Sequence, residues 1–314
     1  MGRYVIRRLI QAIPVLLGAT LLIYALVHYL PGDPVQALAG EKRADPIVAE
    51  MIRQKYHLND PFLLQYWNYI SGVFQGNLGE SLTGRSVTDM ISEAFPYTVN
   101  LALVAFVVEA VIGVLAGVMA ALRKGKFIDQ LVLISTLFVI SIPVFVTGFV
   151  LQLLLGVKLK NDYGFDFFPV SFNEEDGLRA YLLPAFVLAS TSLAYVARLT
   201  RTSLMETMRA DYVRTAVAKG LKRRRVIGRH ALRNALIPIV TFLGADLGGL
   251  MGGAVITEKI FNMHGIGGLL AQSVYQKQGT VIVGMVTLLV MIYLITTLLV
   301  DLLYAVLDPR IRYE

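Results

Sequence analysis

The sequence predicts an all-α integral membrane protein with six transmembrane helices and with both termini in the cytoplasm. Its 314 residues are 56% hydrophobic and 16% charged, whereas soluble domains contain about 25% charged residues. Six apolar runs each approach the ~20 residues that cross a bilayer core. Lysine and arginine concentrate in the segments that six crossings place on one side, which is the cytoplasmic side by the positive-inside rule.

Residues 1–30 are predicted to hold a basic N-terminal segment and the first span. Arg3, Arg7 and Arg8 precede an apolar run over residues 9–30. That run is longer than the apolar region of a signal peptide, and no small-residue cleavage site follows it. We therefore expect a retained helix with its basic end inside.

Residues 31–97 form a long, mostly polar segment, which we predict to be an extracytoplasmic loop with two or three short helices. Residues 98–309 then form the helical core, in which Pro143 should kink the third span. Residues 200–234 are a basic cytoplasmic loop, and residues 310–314 are a cytoplasmic tail. The remaining spans are predicted at about residues 99–122, 131–157, 182–199, 235–256 and 281–307.

Charge supports this topology. With the termini inside, the cytoplasmic segments hold nineteen lysine and arginine residues, and the two short outer loops hold five. Eleven of the nineteen lie between Arg198 and Arg233. Long loops carry little topological information, so residues 31–97 are left out of this comparison.

Residues 210–220 predict a short amphipathic helix within the basic loop. Asp211 is a candidate N-cap, and Gly220 is able to end the helix in the left-handed conformation. The helix either rests on lipid headgroups or docks on a soluble partner. Its apolar face comprises Tyr212, Val213, Ala216 and Val217.

Two features of the spans are open to more than one interpretation. Glycines recur every four residues in the fifth span, which favours close helix packing, either within one bundle or at a subunit interface. Glu109 and Asp246 are ionisable groups inside spans, where such groups are costly. They serve either a structural hydrogen bond, a translocation path, or ion coupling. The glycines are Gly244, Gly248 and Gly252, with Gly249 and Gly253 beside them.

Enzyme signatures are absent from the sequence. It contains no Walker A motif, no Gly-x-Ser-x-Gly and no His-Glu-x-x-His. There are no cysteines, which excludes disulfides and thiolate chemistry, and the four histidines are scattered. We therefore expect no catalytic residue, no bound metal and no cofactor held by this chain.

Several motifs resemble the dipeptide/oligopeptide branch of the ABC-importer permeases. Residues 210–238 are similar to the EAA loop of those permeases, although Arg214-Thr215 stand where the general motif has Glu-Ala. The resemblance covers essentially the whole chain and is nearest to the B-type subunit. The other similar stretches are Tyr4-Val5-Ile6-Arg7-Arg8-Leu9, Pro31-Gly32-Asp33-Pro34, Thr257-Glu258-Lys259-Ile260-Phe261, Gly265-Ile266-Gly267, Leu299-Val300-Asp301-Leu302-Leu303-Tyr304 and Asp308-Pro309-Arg310.

This resemblance implies a type I ABC-importer permease in a prokaryotic plasma membrane. It implies a homologous second permease as heterodimer partner, two cytoplasmic ATPase subunits that bind ATP and Mg, and an extracytoplasmic solute-binding protein. The helix of residues 211–220 would couple to an ATPase, and the loop of residues 31–97 would either pack over the bundle or reach the binding protein. The coupling residues are Asp211, Tyr212, Val213, Arg214, Thr215, Ala216, Val217, Lys219 and Gly220.

The resemblance leaves the substrate open. Di- or oligopeptides are the leading expectation, and relatives of this branch carry nickel complexes, glutathione or oligosaccharides. A different class, an ion-coupled secondary transporter that uses Glu109 and Asp246, is the main alternative.

Overall fold

The computed structural model describes residues 2–29, 46–55, 59–81 and 83–307. The tail at 310–314 and the Pro31–Pro34 and Asp308–Arg310 motifs lie outside the described residues. Within the described ranges the chain is helical, with one isolated β-bridge between Glu80 and Ser86. The helices are α1 (Gly2–His28), α2 (Pro46–Lys55), α3 (Phe62–Phe74), α4 (Val87–Leu122), α5 (Phe127–Ser141), α6 (Val144–Tyr163), α7 (Leu178–Thr207), α8 (Asp211–Ala218), α9 (Arg223–Ile260), α10 (Ile266–Tyr275) and α11 (Gly279–Leu307).

Six of these helices are long and apolar enough to cross a membrane, which agrees with the predicted number of spans. They are α1, α4, α6, α7, α9 and α11. The second, fourth and fifth extend beyond the predicted limits because their polar ends remain helical outside the apolar run. The short helices predicted for residues 31–97 are present as α2 and α3.

The third span differs from the prediction. Pro143 does not kink one helix over residues 131–157; it separates α5 from α6. Ile142 is extended, with φ −100° and ψ 128°, because the proline ring disfavours the helical conformation of the residue before it. The membrane-crossing helix begins after the proline, and α5 is a shorter apolar helix.

Three spans contain π-helical segments, each with one wider turn. They occupy Glu109–Gly113 in α4, Gln152–Lys158 in α6 and Val226–Ala231 in α9. The first begins at one of the two intramembrane carboxyl groups. The last lies where the basic loop enters the fifth span.

The described residues pack as two compact units, and the division is not the one predicted for residues 98–309. The first unit contains the described parts of residues 1–98 together with residues 264–298. Its core joins the start of α4 to α10 and α11. The buried members are Leu78, Val87, Ile91, Ala94, Ile266, Val281 and Met285.

The second unit contains residues 99–263 and the described part of residues 299–308. The helix α7 is its centre, since thirteen of its residues are buried. Small residues bring α4 and α7 close together: a Cβ at Gly117 would lie 2.4 Å from the Ala197 carbonyl oxygen and 2.6 Å from the Thr200 Cβ. The basic loop and α8 belong to this unit.

Candidate partner-docking site and intramembrane polar groups

The helix α8 forms where the sequence predicts it, but its N-cap differs. Ala210 is the extended N-cap residue, and Asp211 is the first helical residue, with no side-chain capping bond. The C-terminus is as predicted: Gly220 has φ +74°. Its N–H donates to the Val217 carbonyl, and the Leu221 N–H donates to the Ala216 carbonyl, which is a Schellman motif.

One face of α8 is buried inside the chain. Val213 and Ala216 are only 4% and 6% exposed. They belong to a core cluster that joins the ends of α4, α7 and α9; its other buried members are Ala121, Leu204, Val226, Ala231 and Ala235. Val213 and Ala216, which the sequence predicts as part of a docking face, therefore pack against the chain's own core.

The rest of the α8 surface is open, including both flanks of the buried face. Tyr212 and Val217 are 44% and 60% exposed. The Tyr212 hydroxyl accepts a 2.9 Å hydrogen bond from the Asn234 side-chain amide, which ties the ring to the start of the fifth span. Arg214 and Asp211 form an exposed ion pair at 3.6 Å, a type that contributes little stability.

Many basic residues in the segment that contains α8 are exposed. Acidic groups on a partner surface would be favoured here, because unlike charges favour and orient association. The exposed residues are Arg209, Lys219, Lys222, Arg223, Arg224, Arg225, Arg229 and Arg233.

An ion pair that the sequence analysis missed connects α5 to α7 at the end of the unit that holds α8. The Arg201 guanidinium donates two hydrogen bonds to the Asp129 carboxylate, one of them 2.9 Å long. The Gly125 backbone N–H donates a third, at 2.8 Å. The Arg201 and Gly125 donors hold the pKa of Asp129 below its usual value.

This pair is well buried, with the Asp129 side chain 4% and the Arg201 side chain 17% exposed. One signal in the sequence points to it: Asp129 lies just before the predicted third span and Arg201 just after the predicted fourth. Opposite charges at neighbouring span ends on the same side are favourable partners, provided that the helices are adjacent. A second link is nearby, since the Ser203 hydroxyl donates to the Ala235 carbonyl at 2.9 Å.

The recurring glycines of the fifth span differ in what lies next to them. Gly244 is a close approach within the unit, because a Cβ there would lie 3.1 Å from a Val300 methyl group. A Cβ at Gly253 would make ordinary contact with Leu188 at 3.6 Å, whereas one at Gly252 would meet no described atom within 4 Å. Gly248 is buried, and Gly249 is exposed.

Glu109 and Asp246 are brought together between α4 and α9, where their carboxyl groups interact electrostatically. Glu109 is fully buried, so it does not line an open path in this structure. Among the described residues, neither of its oxygens has a hydrogen-bond partner of normal geometry, and neither has Asp246 Oδ2. Two ionised carboxylates in such a place would repel strongly.

No group of three or more His, Asp or Glu side chains is arranged to hold a metal ion in the described ranges. The structure defines a multi-pass helical membrane protein with a short amphipathic helix anchored at the ends of three spans.

Comparison with known proteins identifies the family. Residues 113–313 match the family described as binding-protein-dependent transport system inner membrane component, and residues 1–102 match the N-terminal region of such membrane components. The chain belongs to this family and has the type I ABC-importer permease fold. It is a multi-pass transport permease of the bacterial inner membrane.

Two individual relatives are similar in sequence to this chain over essentially their full length. The chain is 38% identical to the di/tripeptide transport system permease protein DppB of Pseudomonas aeruginosa (strain UCBPP-PA14), over 99% of each chain. It is 37% identical to the glutathione transport system permease protein GsiC of Escherichia coli (strain K12), over 100% of each chain.

Proposed function

We propose that this permease imports small peptides and that an ATPase drives it through the open face of α8. The observation that carries the proposal is the division of α8 into a buried face and an exposed face. Val213 and Ala216 attach the helix to the ends of three spans, while Tyr212 and Val217 remain available to a partner. A force that a partner applies to the exposed side of α8 is therefore transmitted to those spans.

The proposed assembly contains a second, homologous permease, two cytoplasmic ATPases that bind ATP and Mg, and an extracytoplasmic binding protein. The charge distribution favours placing α8 in the cytoplasm, where such ATPases reside. A ligand shifts a conformational equilibrium only by its differential affinity for the two states. The ATPase pair would therefore bind α8 differently in its open and ATP-closed forms.

The second permease is proposed to contact α9 at Gly249 and Gly252. Both are exposed in this chain, and small residues in one stripe allow close approach of another helix in lipid. Asp246 lies one turn away and is half-buried. It would therefore lie at the edge of a path formed between the two permeases, with Glu109 behind it.

Substitution of Val217 tests the coupling role. Val217→Asp places a charge on the exposed face and leaves the buried cluster intact, so the chain should fold, while ATPase co-purification and peptide uptake are lost. Val274→Asp is the matched control, because Val274 is 50% exposed on a different surface, at α10. Uptake that survives Val217→Asp as well as it survives Val274→Asp would contradict the proposal.

The Tyr212 hydroxyl is tested separately. Tyr212→Phe removes only the bond to Asn234 and should weaken coupling partially, whereas Tyr212→Asp should abolish it. Gly220→Pro should also abolish coupling, because proline is unable to adopt the positive φ of Gly220.

Small peptides are the proposed cargo because the names of both relatives specify peptides: di/tripeptides in one and glutathione in the other. A competition assay decides which of these cargoes the assembly carries. Vesicles that contain the full assembly would be loaded with a radiolabelled dipeptide in the presence of unlabelled tripeptide, glutathione or oligosaccharide. Competition by the oligosaccharide alone would overturn the peptide assignment.

A further inference from the structure

The helix α3 makes contacts that are unexpected for part of an extracytoplasmic loop. Tyr66 and Tyr69, on one side of it, bond to the two spans of the same unit. The Tyr66 hydroxyl lies 3.0 Å from Thr20 Oγ1 of α1, and the Tyr69 hydroxyl donates to Thr287 Oγ1 of α11 at 2.8 Å. The distances of these two threonines from the ends of their helices therefore indicate how far α3 lies from those ends.

The ends of α1 and α11 meet at one level, since a Cβ at Gly279 would lie 2.6 Å from a Val27 methyl group. Thr20 is seven residues from Val27, or about 10 Å along the helix axis, and Thr287 is eight residues from Gly279, or about 12 Å. Half of a bilayer's hydrocarbon core is about 15 Å thick. Two separate spans thus give the same depth for the contacts of α3.

The rings along α3 confirm that the helix lies beside α1 rather than above it. Tyr24, in the outer part of the first span, packs against Phe62, Tyr66 and Tyr69 of α3. The three pairs of ring centroids are 5.5–5.9 Å apart. Lateral packing of this kind places the helix axis at the level of Tyr24.

The composition of α3 suits a site without water. No charged residue lies between Asp60 and Glu80. Buried Gln65 is paired, since its amide donates to the Asp60 carbonyl at 2.7 Å. Backbone groups at the C-terminal end are also paired, with the Asn77 N–H donating to the Gly72 carbonyl. Such pairing is required where no water is available.

The face that points away from the unit is open and mostly apolar, with Asn68 as its one exposed polar residue. Leu63, Trp67 and Phe74 are 73%, 67% and 71% exposed. A soluble partner's docking site would have a polar rim, and here the nearest charged residues lie beyond both ends of the helix. The face also continues the surface of α1, whose apolar window is only 6% buried.

We infer that α3 is embedded in one leaflet of the bilayer, packed on α1 and α11, with Leu63, Trp67 and Phe74 against lipid acyl chains. It is thus an additional membrane segment beyond the six spans. At 13 residues, or about 20 Å, it is too short to cross the bilayer and returns on the side from which it entered.

Tryptophan fluorescence tests this directly, because Trp67 is the single tryptophan of the chain. The full chain is reconstituted into phosphatidylcholine vesicles with or without bromine atoms on the acyl chains. Iodide added to the buffer serves as the aqueous quencher. The native residue is the reporter, so the measurement does not depend on a variant that fails to fold.

Two variants calibrate the response, both in a Trp67→Phe background. Leu22→Trp reports on a lipid-facing site of α1, where Leu22 is 61% exposed, and Tyr275→Trp reports on a residue 90% exposed at the end of α10. Trp67 is expected to lose emission to brominated lipid as Leu22→Trp does, and to resist iodide. Quenching by iodide to the extent seen for Tyr275→Trp would overturn the inference. Resistance to both quenchers would also overturn it, since it would show that protein covers Trp67.

Discussion

Removal of Arg201 should destabilise this chain far more than removal of another arginine close to it in sequence. Arg201→Ala deletes two hydrogen bonds to a carboxylate that is 4% exposed. Breaking a buried ion pair by deleting one partner costs about 3–5 kcal/mol. Because the Gly125 N–H still donates to Asp129, we expect the lower end of that range.

The assay is thermal unfolding of the purified full chain in detergent, and Arg214→Ala is the matched control. Arg214 also pairs with an aspartate, but its side chain is 74% exposed and that of Asp211 is 97% exposed. An exposed pair contributes about 0–1 kcal/mol. The midpoint of Arg214→Ala should therefore remain close to that of the wild type, while that of Arg201→Ala falls.

A second substitution separates two contributions to the destabilisation by Arg201→Ala: the loss of the attraction to Asp129 and the charge that is left uncompensated on Asp129. Asp129→Asn in the Arg201→Ala background removes the unpaired carboxylate, so the double variant should be more stable than Arg201→Ala alone. Equal midpoints for Arg201→Ala and Arg214→Ala would refute the assignment of a buried pair. A double variant that loses the sum of the two single losses would refute the reasoning about charge.

Three further predictions concern pH, helix packing and the buried carboxyl group of Glu109. Because pairing lowers the pKa of Asp129, its stabilisation is complete above the ordinary carboxyl pKa of about 3.9 and is lost as the pH falls through the lower folded value. The midpoint difference between wild type and Asp129→Asn, which has no carboxyl group to titrate at this position, should thus be constant from neutral pH down to the ordinary carboxyl pKa and shrink below it. Gly117→Ala should cost about 1–3 kcal/mol through overpacking, whereas Gly252→Ala should leave the midpoint unchanged and reduce co-purification with the second permease. Glu109→Gln should retain peptide uptake in vesicles; loss of uptake would indicate that ionisation of Glu109 is required for transport.

The sequence predicts the spans well because each is a long apolar run, and length and hydropathy suffice to recognise it. At Pro143 the sequence predicts a kink, whereas the structure has two separate helices. A proline inside an apolar run is compatible with either a kink or an interruption, and only the extended conformation of Ile142 decides between them. The grouping of residues 264–298 with the N-terminal part depends on long-range packing and has no local signal.

The candidate site was predicted in place but not in orientation. An amphipathic pattern shows that α8 has an apolar face, but it does not show whether that face meets its own chain or a partner. Here Val213 and Ala216 meet the chain's own core, while Val217, one residue further, is outside. The Asp129–Arg201 pair was missed because partners 72 residues apart become neighbours only once the order of helices in the bundle is known.

The cluster beneath α8 is made largely of alanine: Ala121, Ala216, Ala231 and Ala235 are four of its seven buried members. Alanine has no side-chain rotamers, so at these four positions no side chain is able to rotate and absorb a displacement. Close-packed interiors transmit strain. A displacement of α8 would therefore be passed to the ends of α4, α7 and α9 with little loss.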